Sequence, residues 1–295
     1  VALLGGSAFC QEDSFAALPS LPDPQEAVPS FRTISFDVAK LPVGTFEQDA
    51  SGNTGDGQHH GVAAAPADTE QHGLVYRAVR RTLDDQKGLY EAPFKPRNFK
   101  WDLPVLAGTA LFLITDRHIE HNLPGGHYQL YQDTSNISIG GLSATLAGVW
   151  LYGIKTEHRH ARETGFLELE TLTDTFLIYT PMQLIAGRQR PGEGNGHGDF
   201  LKHHAINTSF PGGHAMFTWA MATVVAHEYS QKWVQALAYT AAFAVTASRF
   251  LARDHWASDM WLGSALGIGI GTWVYHEHCD PSLSASCEHD THFIF

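Results

Sequence analysis

From Trp101 onward, apolar residues run in long stretches broken by short polar clusters, and their spacing follows the helical period rather than alternation. The pattern predicts helices at Leu103–Asn122, Ile137–Glu157, Gly165–Ile185, His214–Tyr229, Lys232–Ser248 and Ala257–His276. Upstream, LVYRAVRRTLDDQKGLY repeats apolar residues at helical spacing with charges between them, so order is expected from about Gly73. No alternating strand pattern occurs in this part. Residues 11–72 are rich in Pro, Gly, Asp and Gln and read as irregular, apart from a short strand at Phe31–Val38. The expected architecture is all-α, a bundle of about six helices with a mostly irregular N-terminal extension. The chain divides into a signal-peptide remnant at 1–10, the irregular segment at 11–72, a helical domain at 73–278 and a tail at 279–295.

The helices are apolar enough to raise the question of a membrane. A span takes about 20 apolar residues. The cleanest runs, WVQALAYTAAFAVTAS and WLGSALGIGIGTWVY, are shorter, and other helices carry Asp174, Pro181 or His227 inside. Helices apolar all round also suit the core of a soluble bundle, so the reading favours a soluble or peripheral domain. The run from Gly263 to Gly271 suits close helix packing in either medium.

Composition narrows the classes. With 43% hydrophobic residues over 295 positions, the chain can bury a core without disulfide staples. A net charge of −12 argues against a nucleic-acid partner, since duplex binding rests on neutralising phosphates. Val1–Phe9 is apolar and is followed by Gln11-Glu12-Asp13, which reads as the end of an export signal. The expected location is therefore the periplasm or cell envelope. In an oxidising compartment, Cys279 and Cys287 could close a small loop.

Three clusters carry chemistry: Gly187-Arg188-Gln189-Arg190-Pro191, then Phe210-Pro211-Gly212-Gly213-His214, then Ser248-Arg249 with His255 and Asp259 downstream. Arg190 and Arg249 each offer a planar fork of donors for phosphate oxygens. Gly212 and Gly213 let backbone N–H groups approach an anion where a helix opens. His255 and Asp259, four apart, share a helix face, so the carboxylate could hold one imidazole nitrogen and leave the other to attack. Together these residues read as a metal-free phosphoryl-transfer site.

The order and spacing of the clusters resemble the type 2 phosphatidic acid phosphatase superfamily, which includes bacterial acid phosphatases, lipid phosphate phosphatases and vanadium haloperoxidases. Its motifs are Lys-x6-Arg-Pro, Pro-Ser-Gly-His and Ser-Arg-x5-His-x3-Asp. The third is complete at Ser248, Arg249, His255 and Asp259; the second matches at Pro211, Gly213 and His214; the first matches at Arg190 and Pro191. The resemblance implies a metal-independent phosphoric monoester hydrolase acting on a phosphorylated small molecule or lipid. In it, His255 attacks phosphorus, His214 serves as general acid and base, and Asp259 orients His255. Arg190, Arg249, Gln183, Gly212, Gly213 and Ser248 hold the phosphate, and no cofactor is implied. Gln183 stands at the family's Lys position and Gly212 at its Ser position. Lysine and serine restored there are expected to raise the rate, unless Arg188 or Lys202 already supplies the cation.

Other features read as structural. A second Pro-Gly-Gly-His, at Pro124–His127, precedes the Arg-Pro element and reads as a surface turn. Asp116, His118 and His121 crowd one helix end, and His276 and His278 close another, but no metal-ligand motif accompanies them. The competing readings are a non-catalytic phosphate- or lipid-binding member and, less favoured, a vanadium-dependent haloperoxidase.

Overall fold

The structure is a computed structural model and describes residues 74–287 except 203, 206 and 285. The expected strand at Phe31–Val38 and the leader at 1–10 lie outside the described residues. Those described form seven helices and no strand: α1 Leu74–Glu91, α2 Phe99–His121, α3 Tyr128–Lys155, α4 Arg159–Ala186, α5 Gly213–Glu228, α6 Lys232–Leu251 and α7 Ala257–His278. The described part of the chain is all-helical, and the six helices expected after Trp101 correspond to α2–α7. The largest difference is α3, which begins nine residues before the expected Ile137 and takes in YQLYQDTSN. That segment holds few strong apolar signals and is mostly exposed; its Gln132 donates to Asp254 and its Asn136 accepts from Arg249.

Helix α5 occupies the middle, with α4, α6 and α7 against it. It is apolar on all sides, as a helix enclosed by others should be; Ala215, Met216, Ala220, Ala222 and Val224 are all buried. Its closest partner is α7, and the reason is the glycine run. A Cβ on Gly263 or Gly271 would fall 2.5 Å from the carbonyl oxygens of Gly212 or Ala220, and one on Gly267 would collide with that of Met216. Three glycines at four-residue spacing thus let two backbones touch along three turns. The apolar core lies beside this seam, built from Leu167, Ile178, Met216, Val224, Ile270, Trp273 and Val274. Helix α2 covers α7, α3 spans α4 and α6, and α1 rests on α4. Gly187 ends α4 in the left-handed conformation (φ 50°), its N–H bonded to the Gln183 carbonyl, and so turns the chain into the loop that carries the first cluster.

Two further features bear on environment. Cys279 and Cys287 are joined in a disulfide that closes the segment after α7. Among the described residues, α3 is the one helix long and apolar enough to cross a membrane by length and composition. Its apolar side chains stay outside the core: Ile137, Leu151 and Ile154 are exposed, as are Leu103, Leu106, Leu111 and Ile114 on α2 and Trp233, Leu237 and Phe243 on α6.

Candidate active site

All three clusters meet at one end of the bundle. The end of α4 and the loop after it bring Arg188 and Arg190, the start of α5 brings Gly213 and His214, the last turn of α6 brings Ser248 and Arg249, and the start of α7 brings Asp259, with His255 just before it. The second Pro-Gly-Gly-His lies in the exposed α2–α3 connection, away from this assembly.

His255 is buried. Its Nδ1 lies 2.8 Å from the carbonyl oxygen of Ser209. A carbonyl only accepts, so Nδ1 carries the proton and Nε2 holds a lone pair. Nε2 is shut off from solvent and has no hydrogen-bond partner. The His214 ring stands edge-on to it, with centroids 6.0 Å apart. Burial, then the charges of Arg249 and Arg190, lowers His214 to about 4. Burial, then Arg190 and His214, lowers His255 to about 3, against a weaker opposing effect from the Ser209 bond. Both imidazoles are therefore neutral near pH 7.

The two arginines are held by one loop residue. Arg249 Nη1 donates to Asp254 Oδ2 at 2.8 Å, and Arg190 Nη1 donates to the Asp254 carbonyl at 3.3 Å. Asn136 and Asn207 accept from the other forks, at 2.6 and 2.8 Å. Arg249 Nε is buried without a partner. Ser248 is buried one residue before it. Gly213 opens α5, and the N–H groups of that first turn have no acceptor within the helix. The Tyr179 ring lies where a Gly213 side chain would stand, and its phenol feels the Arg190 charge.

Three sequence assignments change. Asp259 does not orient His255 directly: its carboxylate is 4.0 Å from Nδ1, and Ser209 makes that bond instead. Asp259 works through Ser209, whose hydroxyl it accepts at 2.5 Å, while it also takes Arg188 Nη1 at 2.6 Å and the Trp256 N–H at 2.9 Å. Gln183 does not face a phosphate either. It is fully buried, donates to the Pro211 carbonyl at 2.9 Å and accepts from the Thr208 N–H and hydroxyl at 2.6 and 2.7 Å. The Gly212 N–H is spent on the Asp259 carbonyl at 3.0 Å.

Nor do Arg188 and Lys202 replace the missing cation. Arg188 is buried between the rings of Phe200 and Trp256, donating to Asp259, Ser258 and, through Nη2, Asp116 at 2.7 Å. Lys202 is half-exposed beside Asp199. The sequence reading missed Asp116, Ser209 and Asp254 as site residues because each acts on a partner from a different cluster or helix; the one available signal for Ser209 was its place five residues before His214.

Comparison with known proteins agrees with this geometry. Residues 169–279 match the PAP2 superfamily. This match supports a member of that superfamily. It is also similar to a lipid A 1-phosphatase of Porphyromonas gingivalis, 38% identical over 190 residues, which is 64% of this chain and 40% of that protein. The chain thus spans about two fifths of that relative's length. No solved structure matches. The matched segment contains every residue of the three clusters and runs from within α4 to the end of α7.

Two outcomes follow. Gln183→Lys lowers kcat/KM instead of raising it and costs about 2–3 kcal/mol in urea denaturation, because three buried hydrogen bonds are lost and a charge enters a closed site. Gly212→Ser acts in the same direction, since its Cβ would fall 2.9 Å from the Asp259 carbonyl. A gain in rate from either variant contradicts the structural role given to both positions.

The second outcome concerns pH. The folded pKa values of His214 and His255 lie below the unfolded value near 6.5, so their contribution to stability is full above that pH. It is lost as pH falls through 6.5 toward 4 and 3, because the unfolded chain takes up protons first. Asp259, raised to about 6 by burial against the opposing pull of Arg188, works in the other sense. The stability difference between wild type and His255→Gln therefore shrinks between pH 7 and 4.5 in urea titrations, which isolates the histidine contribution. A constant difference would show that His255 titrates normally.

Proposed function

We propose that the chain is a phosphatase that removes phosphate from lipid phosphate esters through a phosphohistidine on His255. The observation that carries this is the tautomer and setting of His255: Nδ1 is fixed on the Ser209 carbonyl, and the unpartnered Nε2 sits in the field of Arg190, Arg249 and His214. Nε2 attacks phosphorus, the P–O ester bond breaks, and the leaving oxygen takes a proton from His214. Water then attacks the phosphohistidine, His214 takes its proton, and the N–P bond breaks to release phosphate. His214 is neutral without substrate because Arg249 and Arg190 add to the effect of burial; an anionic phosphate between those arginines offsets their charge and lets it hold the proton it must donate. The arginine forks and the Gly213 N–H stabilise the phosphoryl oxygens. No step calls on a metal.

The lipid part of the reading rests on two surfaces. An apolar cavity of about 540 Å³ runs beside α2, α4 and α7, lined by Leu103, Leu106, Met182, Leu262 and Leu266 among others. Met182 adjoins Gln183 in the chain, and Leu262 lies one turn along α7 from Asp259, so the cavity's lining starts about one helical turn from residues around His255. The exposed apolar faces of α2, α3 and α6 suit membrane association. The Cys279–Cys287 disulfide supports an exported location in the cell envelope.

Base-quenched reactions with a 32P-labelled phosphatidate test the chemistry. Label is expected on the wild type and more strongly on His214→Asn, with none on His255→Asn, whose turnover falls by about 10³-fold or more. Undiminished turnover in His255→Asn overturns the mechanism, and phosphatidate binding without turnover in the wild type favours a non-catalytic lipid-phosphate binder. Leu106→Trp tests the cavity. It narrows the channel from an exposed position and should lower kcat/KM for a long-chain lipid phosphate on the order of 10-fold, with p-nitrophenyl phosphate unaffected; equal effects on both substrates would remove the cavity from the reading.

A further inference from the structure

At the opposite end of α7 from His255, three helices converge on a second cluster of titratable groups. Asp85 comes from α1, Glu170 from α4, and His278 is the last residue of α7, next to the disulfide-bonded Cys279. One ligating atom from each lies within 4.8 Å of the other two. His278 Nε2 is 2.8 Å from both Asp85 oxygens and 3.7 Å from Glu170 Oε1. Asp85 is buried. Trp273 Nε1 donates to Asp85 Oδ1 from behind at 3.3 Å, fixing the carboxylate.

A second observation points the same way. Asp174, one turn beyond Glu170 on α4, is fully buried; Gln86 holds its Oδ1 at 2.9 Å, but its Oδ2 has no partner. Burial raises Asp174 to about 7 against the Gln86 bond, and the charges of Asp85 and Glu170 add to it. Three carboxylates thus share one corner where, among the described residues, Arg81 Nε reaches Glu170 Oε1 and His278 Nδ1, each at 2.9 Å. The buried Asp174 oxygen lacks the partner such atoms normally have.

We propose that Asp85, Glu170 and His278 bind a divalent transition-metal ion, Zn²⁺ by preference, with Asp174 as the adjoining third carboxylate. Two or three carboxylates with one imidazole suit zinc or manganese, whereas calcium and magnesium favour oxygen alone. Ligand atoms about 2.0–2.1 Å from a tetrahedral ion lie about 3.3 Å apart, within reach of the separations here after small side-chain shifts. Binding takes the tautomer with the proton on Nδ1 of His278. Arg81, 45% exposed, then keeps Glu170 as its acceptor and turns from the imidazole. The site is structural. His278 lies about 28 Å along α7 from Asp259 at the helical rise, too far to touch a substrate at His255. It would clamp α1 onto α4 and α7 beside the disulfide. The spacing of residues along the sequence could not disclose it, because its ligands come from three separate helices.

The test uses the full chain, stripped with chelator, desalted and titrated with Zn²⁺. Calorimetry should show a single saturable site, and saturation should raise Tm by about 5 °C or more. Both effects are lost in His278→Gln and Glu170→Gln, whose altered side chains are not fully buried, while turnover of the stripped wild type at 25 °C is unchanged. In the wild type, Co²⁺ should give visible absorption that Zn²⁺ displaces and that Glu170→Gln lacks, a readout independent of variant stability. Absence of a saturable site in the wild type overturns the proposal. So does an undiminished Tm shift in both variants, which would place the zinc among the protein's other histidines.

Discussion

The guanidinium of Arg188, closed off from water between Phe200 and Trp256, is the tie on which the end of the bundle around His255 depends. It holds Asp116 from α2 and Asp259 from α7, and its own carbonyl accepts the Ser209 N–H at 2.9 Å. Two buried carboxylates would be untenable without it, and removing one partner of such a pair typically costs about 3–5 kcal/mol. Through Asp259 the tie extends to the Ser209 hydroxyl, the Trp256 N–H and the Gly212 N–H, so a single cation aligns the loop behind His255 with the starts of α5 and α7. The charge is spent on architecture. The arginines left to meet an anion are Arg190 and Arg249, which are only partly buried and are held by Asp254.

This division of labour explains the two departures from the family motifs. A lysine at position 183 would be a cation at the end of α4, but Gln183 has become a bracket between Thr208 and Pro211. A serine at position 212 would crowd Asp259 and Met260, which the glycine lets α7 bring close. Both positions serve the loop that presents Ser209 to His255. In the structure, both positions mount the loop behind His255 and do not present a side chain to an anion.

The helical domain was legible because its signals are local. The apolar period gave α4–α7 to within a few residues apart from the start of α4, and the Gly263–Gly271 run announced close packing that the structure places against Gly212, Met216 and Ala220. The start of α3 was not legible, since its first nine residues are mostly polar and exposed and carry no apolar period. Nor was the tendency of α2, α3 and α6 to leave large apolar side chains exposed, because exposure depends on which elements pack on which face.

The sequence by itself determined the all-helical class, the three clusters and their order, because helical period and motif spacing are written along the chain. Tertiary structure decided what each residue does. Of the two arginines flanking Gln189, only the three-dimensional arrangement buries Arg188 as a strut and leaves Arg190 near His255. It replaced the Asp259–His255 contact, suggested by their four-residue spacing, with the Ser209 carbonyl, because the carboxylate is turned toward Arg188. It also brought His278 to Asp85, 193 positions away in the chain. Charge and hydrogen bonding act through space, and the partners that set a buried group's proton and orientation here come from other helices.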